Sequence, residues 1–269
     1  MKQKKLLALT AVAAIAVLAS EGASAAATAS GTLSGFTIQL YDLNPLDSIA
    51  PSVVFSDTYG SYVYAYESST TPYSLDSQTT YSGTAFGAAS ASAHGPVAAG
   101  AASVSATTVS TSASAGAGDN SLGEGIAFLG DGGSSASFTL SANTVMVISA
   151  TSSLSASTTQ ASDYAGVNAY LQVYGSSPSG YQGAVSSFQV LAGIYYDATD
   201  TSTDGGDMAV SFVNASKTST ATGTFYGYMQ SWARSFEPVS TVPEPGNMAL
   251  LAAGLGALGL LSRRRARQG

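Results

Sequence analysis

Four aspartates, Asp197, Asp200, Asp204 and Asp207, crowd into one short segment otherwise made of Ala, Thr, Ser and Gly. Carboxylates that close together repel each other unless they are solvated or share a cation. Calcium takes about six to eight oxygens from flexible loops of this kind, so the segment is a candidate Ca2+ site. Its spacing matches neither the EF-hand loop nor the glycine-rich nonapeptide repeat, and a solvated acidic loop is the plainer reading. No other cofactor is implied. A second chemistry is available to the aromatic residues. Tyr62, Tyr64 and Tyr66 recur at every second position, as do Tyr226, Tyr228 and Trp232 around Gln230. Flat rings on one face of a sheet can stack on sugars, although tyrosine is also a good strand residue in its own right.

Catalytic groups are poorly supported. His94 is the single histidine and stands beside Gly95-Pro96, a loop context with no nucleophile-elbow motif near it. Glu67, Glu124 and Glu237 have no surrounding pattern that would assign them to a carboxylate pair of the kind that hydrolyses glycosides. The sequence therefore reads as a non-enzyme.

The elements that would carry the aromatic residues are strands. From Tyr164 to Tyr174, Ala165, Val167, Ala169, Leu171 and Val173 fall on one face. Tyr164, Asn168, Tyr170, Gln172 and Tyr174 fall on the other. That period of two predicts a half-buried strand. Ala136, Phe138 and Leu140 alternate in the same way, as do Met208, Val210 and Phe212; Val63 and Ala65 oppose the first tyrosine set. Val145 to Ala150 and Phe188 to Tyr195 are apolar on both faces and read as central strands. Turn signals such as Asp131-Gly132-Gly133 and Ser177-Pro178-Ser179-Gly180 separate the runs. The expected fold is all-β, an antiparallel two-sheet sandwich of jelly-roll or immunoglobulin-like type. The stretch Gly83 to Gly118, almost wholly Ala, Ser, Gly, Thr and Val, buries little area per residue. It is expected to form peripheral strands with long loops.

Between residues 26 and 241 the only basic residues are Lys217 and Arg234, while nearly all the acids lie there. Neutralising phosphates needs a basic patch, so nucleic-acid binding is disfavoured. Cysteine is absent, which excludes disulfides, thiolate catalysis and Cys-based zinc sites.

The remaining cations sit at the two ends. Lys2, Lys4 and Lys5 precede an apolar run from Leu6 to Ala19, and Ala23-Ser24-Ala25 follows as a small-residue cleavage pattern. This is a secretory signal peptide over residues 1–25, with cleavage expected after Ala25 and Ala27 as the second choice. At the other end, prolines flank the carboxylate in Val242-Pro243-Glu244-Pro245 and hold it in a stiff extended strip. Then comes an apolar run from Met248 to Leu261, carrying Leu250, Leu251, Leu255, Leu258 and Leu260, and then Arg263, Arg264, Arg265 and Arg267. A helix over that run would be about 21 Å long, shorter than the roughly 30 Å hydrocarbon core. The arginines would stay on the cytoplasmic side.

Motif, apolar run and arginines in that order resemble the PEP-CTERM sorting signal over residues 242–269. The resemblance implies a Gram-negative host and recognition by exosortase, a membrane cysteine protease-transpeptidase that removes the tail near the motif. It also implies passage through the Sec translocon, transient anchoring in the inner membrane by a C-terminal hydrophobic helix, and delivery to the cell surface or extracellular matrix. The expected whole is a signal-peptide helix, a β-sandwich ectodomain over residues 26–241 and the sorting tail. Its expected role is that of a matrix structural protein associated with exopolysaccharide and biofilm. The alternatives are a carbohydrate-binding module, with or without calcium assistance, and, more weakly, a secreted hydrolase.

Overall fold

A computed structural model of the chain describes residues 25–236, apart from 57–59, 71, 85, 117–119, 131–135, 160–161 and 194–200. The helices expected at the two termini lie outside the described residues, as does the sorting tail. Among the described residues no helix is long and apolar enough to cross a membrane.

The described chain is all-β. In order its strands are β1 (Ala25–Asp42), β2 (Val53–Ser56), β3 (Tyr62–Thr70), β4 (Tyr73–Tyr81), β5 (Ala89–His94), β6 (Ala98–Val104) and β7 (Thr108–Gly116). Then follow β8 (Ser121–Leu129), β9 (Ala136–Leu140), β10 (Thr144–Thr158), β11 (Tyr164–Ser177), β12 (Gly180–Gly193), β13 (Thr201–Asn214) and β14 (Ala221–Ser235). They make two antiparallel sheets, one of them curled into a half-barrel. The six-stranded sheet runs β13-β10-β1-β7-β6-β5. The eight-stranded sheet runs β12-β11-β14-β8-β3-β4, with β9 and β2 branching from β14. The sheets lie face to face: β10 packs over β11, β1 over β14, and β6 over β8 and β3.

Alternation places the core. Ala165, Val167, Ala169, Leu171 and Val173 all point inward and are buried, and their tyrosine-bearing neighbours line the outer face of the eight-stranded sheet. Phe138, Leu140, Met208, Val210 and Phe212 are buried as expected. The bulky residues gather around β9, β13 and β14. There the Phe138 ring meets Phe212 edge-on at 5.1 Å and Phe55 at 6.0 Å, and Phe86 stacks near Phe225. Val145 to Ala150 does lie in a central strand, β10, between β13 and β1. Phe188 to Tyr195 does not: its described part belongs to β12, the edge of the eight-stranded sheet. Val190 and Ala192 are nevertheless buried, because β12 packs against β13 and β10 of the other sheet as well as its own neighbour. Burial here comes from the facing layer, which an apolar run cannot distinguish from a central position.

The small-residue stretch also departs from expectation. It forms β5, β6 and β7, joined only by Gly95, Pro96 and Val97 and by Ser105, Ala106 and Thr107. These are tight hairpins rather than long loops. The reason is close approach of the layers. A Cβ on Gly123 would lie 2.1 Å from the Ala99 carbonyl oxygen, one on Gly125 2.1 Å from that of Ala101, and one on Gly100 1.9 Å from that of Glu124. Main chain packs on main chain, far closer than the ~10 Å usual between facing sheets. Small side chains bury little area each, but here they let backbone atoms supply the contact. Inside this thin half, the Thr111 and Ser231 hydroxyls hydrogen-bond between the sheets at 2.6 Å.

Candidate functional site

The outer face of the eight-stranded sheet collects the aromatic residues into register. Tyr62 of β3 pairs with Tyr81 of β4 on one side and Phe128 of β8 on the other. Phe128 pairs with Tyr228 of β14, and Tyr228 with Tyr170 of β11. The five rings form one unbroken row across five strands. Successive centroids are 5.2 Å (Tyr81 to Tyr62), 5.8 Å (Tyr62 to Phe128), 4.6 Å (Phe128 to Tyr228) and 5.6 Å (Tyr228 to Tyr170). At about 4.8 Å per strand the row spans roughly 19 Å. Each cross-strand aromatic pair adds to sheet stability. The row therefore has a structural role as well as being partly exposed on the outer face.

Polar groups stand in the next rows. Tyr64, Ile126, Gln230 and Asn168 are in register, then Tyr66, Glu124 and Trp232. The Tyr228 hydroxyl donates to Gln230 Oε1 at 2.6 Å, and Gln230 Nε2 donates to Glu124. Tyr226 donates to Gln172. Burial pushes the Tyr62, Tyr64, Tyr226 and Tyr228 phenols above their ordinary range, Tyr228 most, with neighbouring Glu124 or tyrosines adding to the rise. The phenols are neutral hydrogen-bonding groups at physiological pH. One row further along β14 stands Arg234, paired with Leu122 and Tyr164.

The opposite face of the molecule, the outside of the six-stranded sheet, is a lattice of hydroxyls. One row reads Thr203, Ser155, Ser30 and Ser112, and the next Ser153, Thr32, Ser110 and Ser103. Hydroxyl pairs such as Thr28 with Ser157 (2.9 Å) and Ser103 with Ser110 (2.6 Å) tie the strands together. Neutral hydroxyl groups are thus gathered in rows on this sheet.

Of the four aspartates proposed for calcium, Asp197 and Asp200 lie outside the described residues. Asp204 and Asp207 are in β13, three positions apart, and so point to opposite faces. Asp207 accepts from the Thr151 hydroxyl at 2.9 Å, and Asp204 accepts from the Gly205 N–H at 2.7 Å. Among the described residues no cluster of His, Asp or Glu could hold a metal ion. Val242, Pro243, Glu244 and Pro245, the apolar run and its arginines, and Ala23 also lie outside the described residues. Ala25 opens β1, and the next residue is anchored: the Thr159 N–H donates to the Ala26 carbonyl at 2.8 Å.

Glu67, which no motif singles out, is an inward-facing acid. It is 1% exposed, on the inward face of β3, directly opposite Asp76 of β4. Burial pushes its carboxyl up, Asp76 adds to the rise, and the Ser74 hydroxyl, donating at 2.9 Å, and nearby His94 oppose it. His94 ends β5, and its N–H donates to Asp76 at 3.2 Å. A Cβ on Gly95 would lie 2.1 Å from a Glu67 carboxylate oxygen, so this carboxyl is wedged against main chain. The signal was present: continuing the alternation of Val63 and Ala65 by one step puts Glu67 inside. The same step from Trp232 puts Arg234 outside.

No family model, no curated protein and no solved structure matches this chain.

Proposed function

We propose that this chain is an exported, non-enzymatic surface or extracellular-matrix protein that contacts exopolysaccharide through the outer face of its eight-stranded sheet. Export and anchoring rest on the two terminal segments of the sequence: a Sec-type leader ending at Ala25, and a tail handled by an exosortase at Val242 to Pro245 after transient residence in the inner membrane. The contact role rests on one observation, the aromatic row from Tyr81 to Tyr170, flanked by Gln230, Asn168 and Glu124. Rings with amide and hydroxyl neighbours suit sugars, which present apolar faces rimmed with hydroxyls. An acidic domain with two basic residues is a poor partner for nucleic acid.

The carbohydrate-binding-module reading shares this face; its optional calcium assistance is not favoured by the opposed directions of Asp204 and Asp207. A hydrolase would need two carboxyls across an open cleft; Glu67, opposite Asp76, is instead buried and wedged against the main chain at Gly95. As to fold type, the jelly-roll or immunoglobulin-like assignment draws support from the two-layer build. The number of strands exceeds what either architecture usually holds.

Two measurements test the reading. Intact-mass analysis with cell fractionation is expected to find a released chain that begins at Ala26 and lacks the arginines; a surface protein still ending in Arg267-Gln268-Gly269 refutes processing. Co-sedimentation with the host's exopolysaccharide is expected, and replacing Tyr62 and Tyr170 with Ser should abolish it. Binding unaffected by that double change removes the aromatic face from the account.

A further inference from the structure

Arg234 holds a position that no other residue of the domain shares. It is the only arginine among the described residues, and it stands on the outer face of the eight-stranded sheet. Two contacts hold its guanidinium, and one of its nitrogens is left without a partner. The Phe236 ring lies 4.5 Å from Cζ, Nη2 donates to the Asn120 carboxamide oxygen at 3.3 Å, and Nε is buried with no hydrogen-bond partner. Among the described residues no carboxylate pairs with it. Holding a half-buried cation in place without a counter-charge is unfavourable, and guanidinium N–H donors match the oxygens of an anionic group such as a carboxylate.

The guanidinium borders a groove of about 340 Å³, whose lining includes Tyr66, Ser68, Tyr73, Asn120 and Arg234. Tyr73 is 79% exposed at the rim. The groove therefore offers one fixed cation, aromatic rings and hydroxyl or amide groups together. From Arg234 the same face continues along β14 through Trp232 and Gln230 to Tyr228 in the aromatic row.

We propose that this groove binds a carboxylate-bearing sugar of an acidic polysaccharide, with Arg234 gripping the carboxylate and Tyr73 stacking on the ring. The proposal rests on the exopolysaccharide reading and narrows its ligand. The domain's acidic charge does not block it. Glu124, the acid in the neighbouring row, is engaged by Gln230, and charges beyond about 8 Å are screened at physiological salt.

The test compares polygalacturonate with its carboxyl-reduced, neutral counterpart, using the purified protein and calorimetry at two salt concentrations. The acidic polymer is expected to bind roughly tenfold tighter, a difference of about 1.4 kcal/mol, and the gap should shrink at high salt. Arg234→Gln should erase the preference and keep the neutral binding. Tyr73→Ser, at an exposed site where folding is not at stake, should weaken the acidic polymer more than the neutral one, and it decides the matter should R234Q fail to fold. Equal affinity for the two polymers, or a preference untouched by both variants, overturns the acidic-sugar site while leaving exopolysaccharide contact standing. Binding of neither polymer overturns both.

Discussion

The side-chain amide of Gln182 on β12 grips the main chain of Val213 on β13. It donates to the Val213 carbonyl at 2.7 Å and accepts from the Val213 N–H at 3.1 Å. A carboxamide carries one donor edge and one acceptor edge, as a peptide group does, so Gln182 acts as one unit of a missing strand. β12 and β13 are edges of different sheets, and this contact closes the seam between them. The opposite seam is closed on the same principle: the Ser92 and His94 N–H groups of β5 donate to Gln78 (2.7 Å) and Asp76 (3.2 Å) of β4. Sheet edges left open invite pairing with other chains.

Replacing Gln182 with Leu should therefore cost roughly 1 to 3 kcal/mol, since it strands both polar groups of Val213 at a half-buried seam. Urea unfolding gives the magnitude. Hydrogen exchange at the Val213 amide should accelerate; unchanged protection there would contradict the assignment.

The thin half of the sandwich makes a sharper demand. Gly125→Ala must push the Ala101 carbonyl away from a Cβ only 2.1 Å distant, and overpacking of this kind costs about 1 to 3 kcal/mol or more. Gly183→Ala is the control, because its nearest neighbour would be an ordinary 3.6 Å away. Its effect should stay within about 0.5 kcal/mol. Equal melting shifts for the two variants would mean that the layers are not in main-chain contact.

Glu67 sets a pH dependence. Its folded-state carboxyl is raised, chiefly by burial, so the folded chain holds that proton more tightly than the unfolded chain. The stabilisation is complete below the unfolded carboxyl range and is lost as pH climbs through the raised value. Glu67→Gln should remove this slope, making the variant relatively more stable at neutral pH than in acid. Melting temperatures measured across the acid range decide it; parallel curves for wild type and variant would count against the burial.

The outer tyrosines act at the other end of the scale. Their raised phenols favour the protonated, folded form, so stability is kept below pH 10 and is lost as pH rises beyond it. Spectrophotometric titration should show a set of tyrosines that ionise only together with unfolding. Tyr228→Phe keeps the ring but loses the bond to Gln230. It should lower neutral stability by about 0.5 to 1.5 kcal/mol while moving the alkaline transition upward.

Period-two alternation made the layers legible: Tyr164 to Tyr174 and Met208 to Phe212 fall as the sequence requires, because one buried face is a local property of a strand. The aromatic row was half legible. Each strand announced its tyrosines, but Phe128 joins Tyr62 to Tyr228 only through register, which depends on residues distant in sequence. The same limit hid the thin half. Gly123 and Gly125 are needed because Ala99 and Ala101 lie across from them, and neither segment says so alone. Arg234 was visible as a rare cation, but its groove is assembled by β3, β4, β8 and β14 together.

β1 is the first strand among the described residues and also an interior one, held between β7 and β10. A polypeptide that emerges N-terminus first through a narrow exit must carry β1 unpaired until Thr108–Gly116 has followed, and cannot complete the six-stranded sheet's centre until Thr144–Thr158 is also out. Non-local pairing of this sort is slow. Under the proposed export the topology would act as a timer: the chain would stay threadable while it is passed across, and the six-stranded sheet would close around β1 only once Thr144–Thr158 had followed.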